Sequence, residues 1–422
     1  MSHIPALRLR VVADVPFRRE SSFVLYWMTA TRRLSWNYAL DRAIEIAVET
    51  RTPLLILEAL SVSYPWASDR HHQAILDGME EHSSALARSA VGYHAYVEPS
   101  PRAGRGLLES LAARAVAVVT DDSPVFFTPD LVEAASRLAD VRVEAVDSCG
   151  LLPLRAPGRS YGAAYHFRRH LQKELPDHLD GRPSPAPLDG VSLVPFSESL
   201  QEIQDRWPDA ASAGFFEPDP VRALPIDHSI KPAAWRGGTR WGRMALASFL
   251  EDGLPRYDQD RNHPDLSASS GLSPWLHYGH LSAHEVLDAV TSLEGWSPLR
   301  LSSIADGRRA GWWGLSESAE AFLDQLVTWR ELGFGFAAWE PDYRRYESLP
   351  DWARGTLEKH ASDPREHTYS LEEFADAETH DELWNAAQRQ LVNDGVIHNY
   401  LRMLWGKKIL EWTSHPREAL DI

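Results

Sequence analysis

Residues 22–60 read SFVLYWMTATRRLSWNYALDRAIEIAVETRTPLLILEAL, and three segments within them decide the fold. Residues 22–28 are apolar, β-branched and aromatic, the composition of a buried strand. Residues 37–50 carry apolar side chains at helical spacing, and residues 53–60 are a second continuous apolar run. Strand, helix and strand in that order predict a right-handed parallel crossover.

The alternation continues outward. Residues 71–90 predict a helix, 92–98 a strand, 104–115 a helix, 116–121 a strand, 128–139 a helix and 141–147 a strand. The expectation is a doubly wound, parallel-sheet α/β domain over residues 20–150. From 151 to 235 the periodicity fades while prolines gather at Pro153, Pro157, Pro176, Pro183, Pro185, Pro187 and Pro195, which predicts a connector with little regular structure. Residues 236–422 read as an all-α helical domain. Twelve of the sixteen tryptophans lie between Trp235 and Trp412.

Bulk properties narrow the function. At 422 residues the chain exceeds one ordinary core, and 44% hydrophobic content suits a globular protein. No apolar run is long enough to span a bilayer and the N-terminus has no signal-type core, so the expectation is a cytoplasmic protein with no membrane partner, working as a monomer. The one cysteine, Cys149, rules out an internal disulfide and suits a reducing compartment. No metal site is expected: His277 and His280 in HYGH come nearest, and two histidines alone are expected on a helix surface. A net charge of −17 opposes phosphate backbones at long range, so a nucleic-acid binder would need a local basic groove.

Three stretches could carry chemistry. Residues 256–287, RYDQDRNHPDLSASSGLSPWLHYGHLSAHEVL, run from a helix end at Tyr257 through a Ser/Gly loop into a new helix, and such hydroxyls and backbone N–H groups suit phosphate oxygens. The plainer alternative is an N-cap and a turn. Residues 322–334, FLDQLVTWRELGF, set Gln325, Trp329 and Arg330 beside an apolar stripe, offering either a stacking platform or a core indole with a surface arginine. Residues 383–412, LWNAAQRQLVNDGVIHNYLRMLWGKKILEW, break at NDG into two helices. Trp405 and Trp412, seven apart, share a face on which Trp384 can fold back, and His398, Asn399 and Arg402 lie within about a turn.

Together these segments resemble the class II branch of the DNA photolyase/cryptochrome family over nearly the whole chain. FVLYWMTATRRLSWNYAL is similar to the family's opening strand and helix, SYGAAYHFRRHLQKELP (residues 160–176) to its mid-chain segment, RNHPDLSASSGLSPWLHYGHLSAHEV to its flavin-phosphate loop, and THDELWNAAQRQLVNDGVIHNYLRMLWGKKILEW to its late motif. The resemblance implies FAD in the helical domain, photoreduction through tryptophans, and splitting of cyclobutane pyrimidine dimers flipped out of damaged DNA. It implies flavin contacts at Tyr257, Ser269, Ser270, Leu272 and Ser273, ring contacts at Arg330, Asn399 and Arg402, an electron relay through Trp384, Trp405 and Trp412, and a dimer-packing aromatic at Trp329. The front domain would hold an antenna chromophore, with no contacts assigned.

The sequence departs from that pattern in places. Gln325 stands where the family carries a glutamate that bonds the flipped pyrimidines, and His284 and Glu285 stand where many members carry Gln-Arg. The chain stops at HPREALDI, where the family continues into a segment that holds flavin and dimer, so a shortened C-terminus is expected. The alternative reading is a photolyase-like homologue without DNA repair, serving as a flavoprotein sensor or a small-molecule enzyme in the same cavity, with or without FAD.

Overall fold

The computed structural model describes residues 4–422 apart from 19, 139 and 267. Ser267 of the quoted Ser/Gly loop and Ala139 at the end of the fourth expected helix therefore lie outside the described residues. The front domain holds a six-stranded sheet: β1 (Leu9–Ala13), β2 (Phe23–Met28), β3 (Leu54–Leu60), β4 (Gly92–Val97), β5 (Ala115–Asp121) and β6 (Arg142–Val146), in the spatial order β1-β6-β5-β2-β3-β4. All pairings are parallel except β1 with β6.

Four helices wrap both faces: α1 (Tyr38–Thr50), α2 (Asp69–Leu86), α3 (Leu107–Ala112) and α4 (Thr128–Ala135). The period of two along β2 divides its side chains cleanly. Val24, Tyr26 and Met28 enter the core under α1, while Phe23, Leu25 and Trp27 enter the core under α3. Burial on both faces is why this strand reads as an unbroken apolar run. Asn37 starts α1 by accepting N–H bonds from Ala39 and Leu40.

The edge strand β1 was not among the expected elements. Its LRVVA sequence mixes charge with apolar residues and is only partly buried, as an antiparallel edge requires.

The proline-rich segment is more ordered than its composition predicts. Ala164–Glu174 forms a helix between Pro157 and Pro176, and its Phe167 and Leu171 enter the main core of the helical domain. Phe196 returns to pack on Phe23, 5.9 Å between ring centroids, and reaches β4 at Gly92, where a Cβ would lie 2.6 Å from the Phe196 ring.

The helical domain is built around Phe249, Tyr257, Trp275, Trp312, Trp313 and Phe322. It meets the front domain at Gly279, whose backbone (φ +77°) leaves no room for a Cβ against the Ala30 carbonyl, and Arg33 donates to the Gly279 carbonyl at 2.9 Å. The last helices, Glu382–Asp394, Asn399–Glu411 and Pro416–Asp421, gather round a separate cluster of Phe374, Trp384, Ile409 and Trp412. Arg70 of α2 ties them to the front domain by donating to the carbonyls of Leu391, Val392 and Asn393. No helix among the described residues is long and apolar enough to cross a membrane.

Candidate functional site

The indoles come together. Asp381 caps the first helix of the pair by accepting from the N–H groups of Leu383 and Trp384, and Gly395, at φ +71°, ends it. His398 caps the second. Trp384 lies parallel to Trp405, 6.2 Å between centroids at 4°, and meets Trp412 at 6.1 Å and 64°. Each of the two stacked indoles has an N–H partner: Trp384 donates to the Trp405 carbonyl (3.2 Å) and Trp405 to Gln388 Oε1 (3.0 Å). Trp384 and Trp412 are 1% and 3% exposed, while Trp405 is half-buried.

On the same helix as Trp405, Asn399 and Arg402 are exposed and bonded to each other at 2.7 Å. The helix start is fixed by His398, whose Nε2 lies 3.1 Å from the Arg261 carbonyl. Arg261 in turn sits over the Tyr257 ring at 5.4 Å. Tyr257 opens the last turn, Tyr257–Asp260, of a helical run that starts at Thr239, and its ring is buried against Phe249 and Phe322. Burial pushes its hydroxyl above the usual phenol range.

Ser269 and Ser273 are exposed and Ser270 is half-buried, around Gly271 at φ +64°. Leu272 is wholly buried and anchors this loop in the core, which leaves only its backbone to face a ligand.

Gln325 and Trp329 lie on a π-helical turn, Asp324–Trp329, between Glu317–Leu323 and Arg330–Trp339. Such widened turns recur at functional sites. Arg168 of the mid-chain helix clamps the turn, reaching both Asp324 oxygens at 2.7 and 3.1 Å. Trp329 is 46% exposed and Gln325 half-buried. Arg330 turns away from them, lying over Phe334 and donating to the Cys149 carbonyl at the domain seam.

Its neighbour Glu331 escaped the sequence reading. Its two carboxylate oxygens accept the N–H groups of Leu151 (2.6 Å) and Leu152 (3.0 Å), and burial raises its pKa to about 7. No periodic signal marks a contact that spans 180 residues of chain.

Two histidines sit where the sequence does not place them. His280 is wholly buried, accepting from the Gly238 N–H at 3.0 Å, because the domain seam covers it; only His277 keeps the exposed place expected of both. His284 is buried edge-on against Tyr38, and desolvation holds it well below the usual imidazole range. Glu285 is paired with Arg243, which also reaches Ser35 Oγ. Among the described residues no group of three or more His, Cys, Asp or Glu could hold a metal.

At the topological switch between β2 and β5, where doubly wound sheets bind ligands, the protein's own carboxylate is in place. Asp121 accepts the N–H groups of Thr29, Ala30 and Thr31 and the Tyr26 hydroxyl.

The residues suit a flat, phosphate-bearing cofactor. Serine hydroxyls flank Gly271, and Asn399 and Arg402 present an exposed polar face. Hydroxyl, amide and guanidinium donors of this kind suit FAD, while Arg330, expected among the ring contacts, is engaged at the seam with the Cys149 carbonyl.

No family model matches the chain. Curated relatives do. The chain is 32% identical over 408 residues to the deoxyribodipyrimidine photo-lyase of Methanothermobacter thermautotrophicus, covering 95% of this chain and 80% of that protein. It is 31% identical to the enzyme of Potorous tridactylus (98% and 72% covered) and 32% identical to that of Oryza sativa (94% and 74%). Two solved structures share the fold: a class III photolyase from Agrobacterium tumefaciens (TM-score 0.64, 19% identity, 95% of this chain and 79% of that one) and an archaeal photolyase from Sulfolobus tokodaii with two FAD molecules (TM-score 0.57, 15% identity, 94% and 81%). Ordered similarity over nearly the whole chain, on a parallel-sheet domain followed by an aromatic helical one, makes this chain a member of the photolyase/cryptochrome family.

Proposed function

We propose that the protein is a deoxyribodipyrimidine photo-lyase of the class II type, which binds FAD in the helical domain and repairs cyclobutane pyrimidine dimers in DNA under light. The observation that carries this reading is the contiguous trio Trp405, Trp384 and Trp412, which begins one turn from the exposed Asn399–Arg402 face. A row of touching indoles leading from a polar, open face to the outer helices is a path for single electrons.

Bound there, reduced and light-excited FAD supplies the electron that opens the dimer. The chain's own residues have separate tasks. The serine loop from Ser269 to Ser273 receives phosphate, and Asn399 and Arg402 hold the ring system by hydrogen bonds. Trp329 offers its exposed face to a flipped base, a contact worth about 1–3 kcal/mol. Gln325 donates and accepts hydrogen bonds to a pyrimidine edge, but an amide does not exchange a proton as a carboxyl does.

The front domain serves as the antenna-type domain. Its pigment would lie away from the crevice that Asp121 fills. The same reading has a cytoplasmic monomer, in keeping with the lone, unpaired Cys149.

The test is an oligonucleotide carrying one dimer, incubated with protein and FAD in the dark and in blue light. Light-dependent loss of the dimer supports repair. The net charge of −17 favours the second reading, a flavoprotein sensor or small-molecule enzyme. Protein that turns yellow with FAD yet ignores dimer DNA even at low salt would establish that reading instead.

A further inference from the structure

We propose that Gln325 reads a flipped pyrimidine through a reversible amide, so that thymine and cytosine are held equally well in the same place. The inference rests on the lesion-binding reading of the helical domain and names the base edges that this site recognises. Of the six residues on the π-helical turn Asp324–Trp329, only Gln325 and Trp329 are not buried. They stand four apart on one widened turn, so indole and amide emerge side by side. Trp329 offers a face on which a base can stack, and Gln325 borders that face.

The surroundings leave the amide free. Asp324, the adjoining carboxylate, has both oxygens taken by Arg168, at 2.7 and 3.1 Å. Arg330, the nearest cation along the chain, lies over Phe334 and donates to the Cys149 carbonyl. Among the described residues none hydrogen-bonds the Gln325 side chain. The last torsion of glutamine is broad and two-fold, so half a turn exchanges Oε1 with Nε2 at little cost. The Arg168 clamp therefore holds the turn still and leaves that one rotation soft.

The two bases call for this exchange. The pairing edge of thymine sets an N3–H donor beside the O4 acceptor, whereas that of cytosine sets an N3 acceptor beside an N4–H donor. Dimer formation joins the rings at C5 and C6 and leaves both edges intact. In one orientation Oε1 accepts from thymine N3–H while Nε2 donates to O4. Turned over, Oε1 accepts from cytosine N4–H while Nε2 donates to N3. Neither base is left with an unmatched polar edge. A carboxylate has only acceptors and would set an oxygen against thymine O4 or cytosine N3.

The test is dark binding of flavin-loaded, full-length protein at low salt, read by fluorescence anisotropy. The oligonucleotides carry a thymine dimer, a cytosine dimer kept cold and used before its amines hydrolyse, a thymine dimer methylated at N3, or no lesion. The parent should bind the thymine and cytosine dimers about equally, whereas an amide fixed in one orientation would favour one base by about tenfold or more. Gln325→Leu should lose about tenfold on both dimers and nothing on undamaged DNA. Gln325→Glu, which keeps the length and loses the donor, should weaken both dimers as well. N3-methylation should weaken the parent far more than Gln325→Leu, because the two changes remove one contact.

A tenfold preference for one base, undiminished dimer binding by Gln325→Leu, or additive losses on methylation each overturns this assignment and leaves the lesion reading standing. A parent that binds dimer DNA no better than undamaged DNA removes the lesion reading, and this one with it.

Discussion

Trp405 stands three residues beyond Arg402 and carries the only half-exposed ring of the trio. Trp405→Phe should slow flavin photoreduction while leaving the flavin bound; an unchanged rate would count directly against the relay. Glu331 makes a second claim at this scale. Its carboxyl titrates at about 7 in the folded chain against an ordinary 4.5, so the folded state binds the extra proton between those values. Its favourable contribution is complete below about 4.5 and is lost as pH rises through about 7. Glu331→Gln has no carboxyl proton to bind, so it should lose this pH-dependent contribution, about 1–3 kcal/mol near pH 5. That difference should shrink near pH 8, as compared by urea denaturation at both values.

At the scale of elements, the mid-chain helix Ala164–Glu174 does more than connect. Arg168 joins it to the π-helical turn through Asp324, and Gln172 accepts the Gly307 N–H at 2.7 Å and donates to the Arg308 carbonyl at 2.9 Å. Arg168→Met leaves a buried carboxylate alone and should destabilise the protein by about 3–5 kcal/mol, read as a lower denaturant midpoint. The legibility of the sequence divides along the same line. The β2–α1–β3 unit could be read because its contacts are local and its strands are buried on both faces, which leaves an unbroken apolar signature. The indole trio could be read as one cluster because a seven-residue interval and a short turn fix it. By contrast, the direction of the Arg330 guanidinium is set by the Cys149 carbonyl, 181 residues away, and no local pattern encodes it. Proline density hid the Ala164–Glu174 helix because its prolines lie outside the helix, where they punctuate rather than break it.

At the scale of the whole molecule, the last helices hold to the front domain through Arg70 and reach the helical domain through His398. Arg70→Ala removes three carbonyl contacts at the end of Glu382–Asp394. Amide exchange across residues 382–411 should quicken by roughly tenfold or more, while protection of β2, β3 and β5 stays unchanged. Uniform quickening throughout the chain would show instead that the molecule unfolds as a single unit.

The rings around Trp384 and Trp412 form an apolar island distinct from the larger aromatic core around Trp312 and Phe322. Wiring and chassis are thereby uncoupled. Substitutions that reshape what the large core supports, including the loops that would choose a substrate, leave the spacing between the indoles intact, so this architecture can change its clientele without rebuilding its conductor.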